Sequence, residues 1–512
     1  MTAKVLFLSE LISKGVCEIS PGAVLCFGHF NAIHPGHIRY FHTARQYGTT
    51  LVVVIEGDSQ LPETERATAF AETERAEAVA ALDMIDYVVI LDTGSLEDFV
   101  RQVDIAALVL GKEFESTRAS KVSSAVVEVR AQGAEVFYDA GETHYASAAL
   151  FHSSASELEM ERWRTFRAAQ KVQRVSLSET LLEFSKCVTP RILVVGDTIV
   201  DRYVACDPVG MSNEAPVVVV KELENQDFVG GAGIVAAHVA ALGGECTYVS
   251  VTGRDKPSEF VANTLGKFGV DVDLLEDDSR PTTFKIRYLV ENQKLFRVSR
   301  LKEHSLPPRI ENQVIQKIRN MGPQLDAILV SDFVYGVVTS RIVEEILDIS
   351  RKYDVLVFGD LQCSSQVGNI SKFQNFHLIC PTEREARIAL SNHDDGIEYV
   401  ANLLMGKTKC ANMILKLGAE GFIAYAGKDG GEFLQRQHFP ALTVNPVDVA
   451  GAGDALLATM AVSLTQGLSL MQASTLACCV SAIAVQTVGN HPVGLNKVKQ
   501  FAYEQDGITG SG

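Results

Sequence analysis

The chain has 512 residues, with 46 Lys and Arg against 63 Asp and Glu and a formal net charge of −17, room for two to four domains at roughly 100–200 residues each. A composition of 47% hydrophobic and 21% charged residues is globular and excludes wholesale disorder. The acidic balance argues against nucleic acid or an anionic membrane as partner. No apolar run reaches the roughly 18–20 residues that span a bilayer, and residues 1–20 lack a basic-then-apolar leader, so a cytoplasmic location is expected.

In chain order, the apolar strand Ala23–Phe27 ends in the turn Gly28-His29-Phe30-Asn31. Strand-like runs follow at Leu51–Ile55, Tyr87–Leu91, Ala107–Leu110 and Glu135–Tyr138, separated by helical stretches such as Thr64–Leu82. Strands alternating with helices predict a parallel sheet covered on both faces, complete by residue 150. Residues 151–186 read as a helical connector: Ser153 and Ser154 offer a cap, and Glu157–Phe184 holds the only tryptophan, Trp163, with no breaker before Pro190. The alternation resumes in residues 187–512, where strand Arg191–Val195 and the turn Gly196-Asp197 repeat the opening pattern and predict a helix next. Ala215–Leu223 and Thr282–Ser299, the latter a hairpin turning at Glu291-Asn292-Gln293, lack intervening helices and suit a small antiparallel lid. The ten cysteines are scattered with no C-x-x-C, which suggests neither a disulfide framework nor a zinc site.

The first chemistry-bearing motif is His34-Pro35-Gly36-His37, opening the predicted helix Ile38–Tyr47. Two imidazoles at a helix start can face a phosphate held by the free amides and the positive dipole end. Such a pair suits nucleotidyl transfer, stabilising charge in the transition state without a covalent bond. With Gly28-His29-Phe30, Arg75 and Leu110-Gly111-Lys112, the set resembles the cytidylyltransferase-like superfamily over about residues 20–150. Within it, the resemblance is to the sugar-phosphate nucleotidyltransferase domain of bacterial ADP-heptose biosynthesis. The resemblance implies a Rossmann-like sheet, catalytic His34 and His37, and nucleotide contacts from Gly28, Phe30, Asn31, Gly36, Arg75, Gly111 and Lys112, with Mg²⁺ and ATP or CTP. Two departures stand out: Asn31 replaces the family's Asp, and the Ser/Thr-rich segment near the domain end reads His144-Tyr145-Ala146-Ser147-Ala148-Ala149.

The second motif is Asp448-Val449-Ala450-Gly451-Ala452-Gly453-Asp454 before a helix of small residues. The Gly451-Ala452-Gly453 amides can hold an anion while Asp454 accepts a proton from an alcohol, a phosphoryl-transfer arrangement. It stands last in a series: Gly196 through Tyr203, Ser212 through Val217, Gly230-Gly231-Ala232, Ser331-Asp332, Pro381 through Glu385, and Lys416 through Gly421. The series resembles the ribokinase-like (PfkB) carbohydrate kinases across about residues 190–495, and most closely the heptose-phosphate kinase branch. It implies an α/β domain with a β lid, sugar contacts from Asp197, Asp201, Gly230, Gly231, Asp332 and Asp360, and ATP bordered by Lys416, Gly418 and Gly421. Glu385 would act on Mg²⁺ through a water.

The departures cluster on the sugar side. Ile234 stands where that branch has Asn, Asp332-Phe333-Val334-Tyr335-Gly336 replaces Asp-Tyr-x-Lys-Gly, and Asp360-Leu361-Gln362-Cys363 replaces Asp-Pro-Lys-Gly. Thr382 takes the place of the metal-side Asn. With two lysines gone, Lys285, Arg287, Arg297 and Arg300 on the lid are the cations left for a substrate phosphate. Lid strands of this family often pair between subunits, and Phe284, Ile286, Tyr288 and Phe296 would supply the apolar face of a homodimer. The whole reads as a bifunctional enzyme acting on a sugar or sugar phosphate and a nucleoside triphosphate. The alternative is a kinase with a non-catalytic nucleotide-binding or scaffold domain in front.

Overall fold

The structure, a computed structural model, describes residues 4–14, 19–31, 33, 35–61, 66, 69–111, 114, 120–139, 155–212, 217–290, 293–363, 368–392, 394–427 and 435–507. It divides into two compact units, residues 1–154 with 390–403, and residues 155–389 with 404–512. Among the described residues no helix is long and apolar enough to cross a membrane.

The first unit is built on a six-stranded sheet in the order Lys4–Phe7, Tyr87–Leu91, Leu51–Glu56, Ala23–Gly28, Ile105–Gly111, Glu135–Asp139, every pairing parallel. Runs such as LVVVI are buried along their length, because both faces of a parallel sheet are covered. Alternate residues feed two cores: Leu25, Phe27, Val52 and Val54 on one side, Val24, Cys26, Val53 and Ile55 on the other. Strand Ala23–Gly28 lies between Leu51–Glu56 and Ile105–Gly111, so the winding reverses there and the carboxyl ends Gly28 and Gly111 flank the crevice where doubly wound sheets take ligands. The helix expected over Thr64–Leu82 is described as Glu72–Ala80, its first turn closed by the Glu74 carboxylate accepting from the Ala71 amide at 3.2 Å.

The second unit carries a nine-stranded sheet in the order Asp271–Glu276, Glu245–Thr252, Arg191–Gly196, Ala327–Asp332, Leu356–Leu361, Leu378–Ile379, Asn412–Lys416, Phe422–Ala426, Gln435–Phe439. It is parallel up to Asn412–Lys416 and antiparallel beyond. The helix expected after Gly196-Asp197 is instead strand Thr198–Met211. Its β-branched and aromatic run (TIVDRYV) buries Val200 and Val204 in the core and pairs antiparallel with Val218–Gly231. These two join Thr283–Val290 and Gln293–Arg300 in the lid sheet. The lid is mixed rather than antiparallel throughout, since Thr283–Val290 runs parallel to Thr198–Met211.

Residues 155–186 form helices Ala155–Gln173 and Leu177–Lys186, broken at Arg174, whose φ is 54°. Trp163, Phe166, Ala169, Leu177, Leu181 and Phe184 are buried in the second unit's core, so the segment is a layer of that unit. On the lid, Phe284 and Ile286 are buried and cannot supply an outer face. Phe296 is exposed and stacks on Tyr288 at 4.7 Å between ring centroids. Other apolar side chains that reach the lid surface include Val209, Met211, Val218, Leu223, Leu295 and Val298.

Candidate active sites

In the second unit, parallel strands deliver polar groups to one edge. Asp197 follows Arg191–Gly196, Asp332 ends Ala327–Asp332, Asp360 lies near the end of Leu356–Leu361, and Lys416 ends Asn412–Lys416. This is the carboxyl edge, where an α/β sheet binds ligands. Helix Ala452–Thr465 points its amino end at the same place. Its N-cap, Gly451, has φ 80°, and a Cβ there would meet Asn490 Oδ1 at 2.7 Å, so glycine is required for the turn to present its amides.

A cavity of about 570 Å³ is bordered by Gly418, Gly421, Glu385, Lys416, Gly451, Ala452, Gly453 and Asp454, with an apolar wall of Ala441, Leu442, Val444, Pro446 and Val485. Asp454 is buried and accepts a hydrogen bond from Gln362 Nε2 at 2.9 Å. Burial, and then the negative charge of Asp360, push its carboxyl up to about 7. Lys416 Nζ donates to both oxygens of Asp360 at 2.8 and 2.7 Å; burial holds Asp360 up at about 6 even so. Glu385 accepts from the backbone amides of Thr382 (2.8 Å) and Cys363 (3.0 Å). Those bonds fix a buried carboxylate on the cavity wall, which fits a water-mediated hold on a nucleotide-borne Mg²⁺. Among the described residues no group of three or more His, Cys, Asp or Glu is arranged to bind a metal by itself.

Asp448, at the foot of the Gly451–Asp454 turn, accepts from Tyr203 Oη (2.6 Å), Lys294 Nζ (2.7 Å), Ala450 N (3.1 Å) and Gly489 N (3.2 Å). Burial alone would raise this carboxyl; the Lys294 and Tyr203 bonds outweigh it and the net shift is downward. Tyr203 and Lys294 are lid residues, so the lid is tied to the turn through one carboxylate.

Next to the lid, Asp201 pairs with Arg287 and accepts from Asn490 Nδ2 at 3.1 Å, while Gly230 backs onto its carboxylate. Gly231 has φ 59°, and a Cβ there would lie 2.3 Å from the Asp197 carbonyl. Asp197 itself is buried, and its oxygens accept from the amides of Phe333 (2.8 Å), Val337 (3.2 Å) and Tyr335 (3.3 Å). It holds the loop after Asp332, and burial with the nearby Asp332 charge raises its carboxyl. Asp332 pairs with Lys372, a cation supplied in space where the Asp-Tyr-x-Lys-Gly lysine is missing from the sequence. Of the four lid cations, Arg297 and Arg300 lie on the fully exposed strand Gln293–Arg300. Lys285 is buried with its ammonium over the Phe333 and Tyr335 rings (5.3 and 5.2 Å), beside Arg287 on the inner face.

In the first unit, Phe30 takes φ 48° and its ring rests over Gly28. It meets His37 edge-on at 5.1 Å and Phe41 at 5.1 Å, fixing the imidazole that helix Pro35–Ala44 brings to the Gly28 end of the crevice; Gly36 is in that helix's first turn. Asn31 Oδ1 accepts from Phe70 N at 2.7 Å. Arg75 is fully buried: Nη1 donates to His29 O (2.7 Å), Nη2 to Glu56 O (2.9 Å) and Asp58 Oδ1 (2.7 Å), and Nε to Phe70 O (3.0 Å). It therefore clamps the loops around the crevice. Gly111 ends its strand as expected from its position. His34, Lys112, residues 144–149 and residues 213–216 lie outside the described residues.

Gln362, Asn490, Lys372, Tyr203 and Lys294 are site residues that sequence reasoning did not assign. Gln362 and Tyr203 left a signal, each standing inside a family motif; the others arrive by long-range packing.

A carboxylate poised near neutral pH between an anion-binding helix start and a cleft of hydrogen-bonding groups is equipped to take a proton from an alcohol as phosphate reaches it. The second unit thus has the fold and the site layout expected of a small-molecule kinase. The chain belongs to the pfkB family of carbohydrate kinases, whose family model matches residues 189–493; a second model, cytidylyltransferase-like, matches residues 25–136. Among curated relatives, the bifunctional protein HldE of Geobacter sulfurreducens is 29% identical over 59% of this chain and 60% of its own length. That of Trichlorobacter lovleyi is 31% identical over 60% of this chain and 62% of its own length. The chain thus spans about three-fifths of the length of these relatives. A crystal structure of phosphofructokinase-2 from Escherichia coli with substrates and products superposes with TM-score 0.51 at 16% identity, covering 62% of this chain and 99% of that one, which shows the shared fold.

Proposed function

We propose that the chain is a bifunctional enzyme of a pathway to a nucleotide-activated sugar. Residues 187–512 phosphorylate a sugar or sugar phosphate from ATP. Residues 1–150 transfer a nucleotidyl group from ATP or CTP to a sugar 1-phosphate, releasing pyrophosphate. The carrying observation for the kinase half is Asp454, buried in the first turn of a helix whose preceding amides face a cavity of nucleotide size. In the transfer step Asp454 takes the acceptor's hydroxyl proton, the Gly451–Gly453 amides hold the phosphoryl oxygens, and Lys416 with Mg²⁺ carried by ATP offsets the charge. Lys285 and Arg287 on the lid's inner face favour an acceptor with an anionic group. The word bifunctional in the two relatives' names, with the cytidylyltransferase-like match over residues 25–136, supports pairing this activity with nucleotidyl transfer.

The transferase half rests on His37, held by Phe30 at the crevice of a doubly wound sheet. A second reading, a non-catalytic first unit, is favoured by two observations: Arg75 and Asn31 are already engaged by protein groups. Pyrophosphate release from ATP or CTP with a panel of sugar 1-phosphates separates the two. The expected result is release that His37→Ala lowers by about 10²-fold or more. No pyrophosphate with any donor, beside robust kinase turnover, would establish the second reading.

We also infer a cytoplasmic location and a homodimer formed through the lid, whose strands expose apolar side chains such as Val209, Met211, Val218 and Leu223. Sedimentation at micromolar concentration should give twice the single-chain mass, reduced to one chain by Val218→Asp with Leu223→Asp. A wild-type chain that stays single throughout that range would end the dimer assignment.

A further inference from the structure

The helix Ala155–Gln173 precedes the stretch matched by the kinase family model, which begins at residue 189, yet it is built into the nucleotide site. Its buried face repeats at Trp163, Phe166 and Ala169. Trp163 packs on Phe166 (5.5 Å) and on Phe501 of the C-terminal helix (5.7 Å), and Phe166 reaches Phe439 at 6.5 Å. At the helix's last residue, Gln173 Nε2 donates to Gln437 Oε1 at 3.0 Å. The helix is thus seated along strand Gln435–Phe439 by aromatic packing and a side-chain bond, a fixed position for the residue next to Trp163.

That residue is Arg162. Its Nη1 donates to two main-chain carbonyls, Ala441 O at 3.0 Å and Thr443 O at 2.8 Å. Pro440 through Val444 form the apolar wall of the cavity whose other end is the Gly451–Asp454 turn, and Arg162 itself borders that cavity. An apolar wall in a nucleotide cavity suits the base, the phosphates being held at the amides. Pro440 O accepts from Cys478 Sγ (3.0 Å), Thr443 Oγ1 donates to Ala482 O (3.1 Å) and Leu442 is buried. The Ala441 and Thr443 carbonyls are bonded by one guanidinium, which fixes their orientation before the nucleotide arrives.

We propose that Arg162 is a positioning residue of the kinase nucleotide site: it locks the 440–444 wall against which the base of ATP rests. Helix Ala155–Gln173 is accordingly part of the ATP-binding apparatus. The inference rests on the kinase reading above and adds to it a residue from outside the matched family stretch.

The test uses the full chain. Arg162→Ala is expected to weaken ATP binding about ten-fold by titration calorimetry, the size of losing charge-assisted hydrogen bonds. The KM for ATP should rise by a similar factor while the KM for the acceptor stays put. Arg162→Gln keeps a donor for one carbonyl and should fall between, so the measurement stands even if the alanine variant folds poorly. Arg164→Ala, an exposed residue of the same helix, should leave ATP affinity at the wild-type value. Wild-type ATP affinity in both Arg162 variants, or an equal rise in the KM of both substrates, would overturn the proposal alone. A wild-type chain that binds no ATP would overturn it together with the kinase reading.

Discussion

Replacing Asp454 by asparagine should lower phosphoryl transfer by roughly 10²–10⁴-fold, the usual contribution of a positioned general base, while raising thermal stability above pH 7. Both effects have one source. The carboxylate is buried in the first turn of helix Ala452–Thr465 with Asp360 nearby, and its folded-state value of about 7 stands above the 3.8 of an unperturbed Asp. Below pH 4 folded and unfolded chains both keep the proton. Between about 4 and 7 the unfolded chain releases it and the folded chain does not, so this group's contribution to stability declines as pH rises and is lost above 7. Asparagine keeps the shape and an acceptor for Gln362 while removing the buried charge. Wild-type turnover should accordingly climb through about pH 7 as Asp454 ionises and then level off. Turnover of Asp454→Asn within ten-fold of wild type at saturating substrate would remove the residue as base. A melting temperature well below wild type at pH 8 would show that the charge stabilises the fold.

Asp454 was legible in the sequence because everything it needs is local: a left-handed glycine, two more amides and a helix start within four residues. The parallel sheets were legible for a similar reason, since continuous apolar runs between helical stretches have few other solutions. Strand Thr198–Met211 was misread because Gly196-Asp197 repeats the strand-and-turn grammar of Gly28-His29, and the grammar leads to a helix in one unit and a lid strand in the other. The β-branched and aromatic residues of TIVDRYV carried the better signal. Arg75 shows a different limit. Its presence at the crevice was readable, but its partners come from residues 29, 56, 58 and 70, and only the folded chain shows that they occupy it. Lys372 and Asn490 reach Asp332 and Asp201 across 40 and 289 residues, a separation that no local pattern encodes. Phe284 and Ile286 do point away from Lys285 and Arg287, but they are covered by the second unit's core, because alternation fixes which residues share a face, without saying how much of that face is covered.

Lys416→Met should cost about 3–5 kcal/mol of stability at pH 8, the range for breaking a buried ion pair by removing one partner. Lys416 Nζ satisfies both oxygens of an Asp360 that is 1% exposed, and no second cation is bonded to that carboxylate among the described residues. Burial acts to lower the Lys416 ammonium, but Asp360 and then Glu385 outweigh it, and the net shift is upward. Without the ammonium the Asp360 carboxyl, already at about 6, rises further, so the penalty is that of an unpaired buried anion and shrinks as acid supplies the proton. Urea unfolding should therefore show a larger loss at pH 8 than at pH 5.5. The double variant Lys416→Met with Asp360→Asn should recover most of the stability at pH 8 without recovering turnover, because the cation that offsets charge beside Gly453 and Asp454 is still gone. Lys416 also pulls the Asp454 carboxyl downward, so residual activity in the single variant should begin its rise at higher pH than in the wild type. Equal stability of Lys416→Met and wild type at pH 8, or a double variant no more stable than the single, would mean that the pair does not hold this edge of the sheet together.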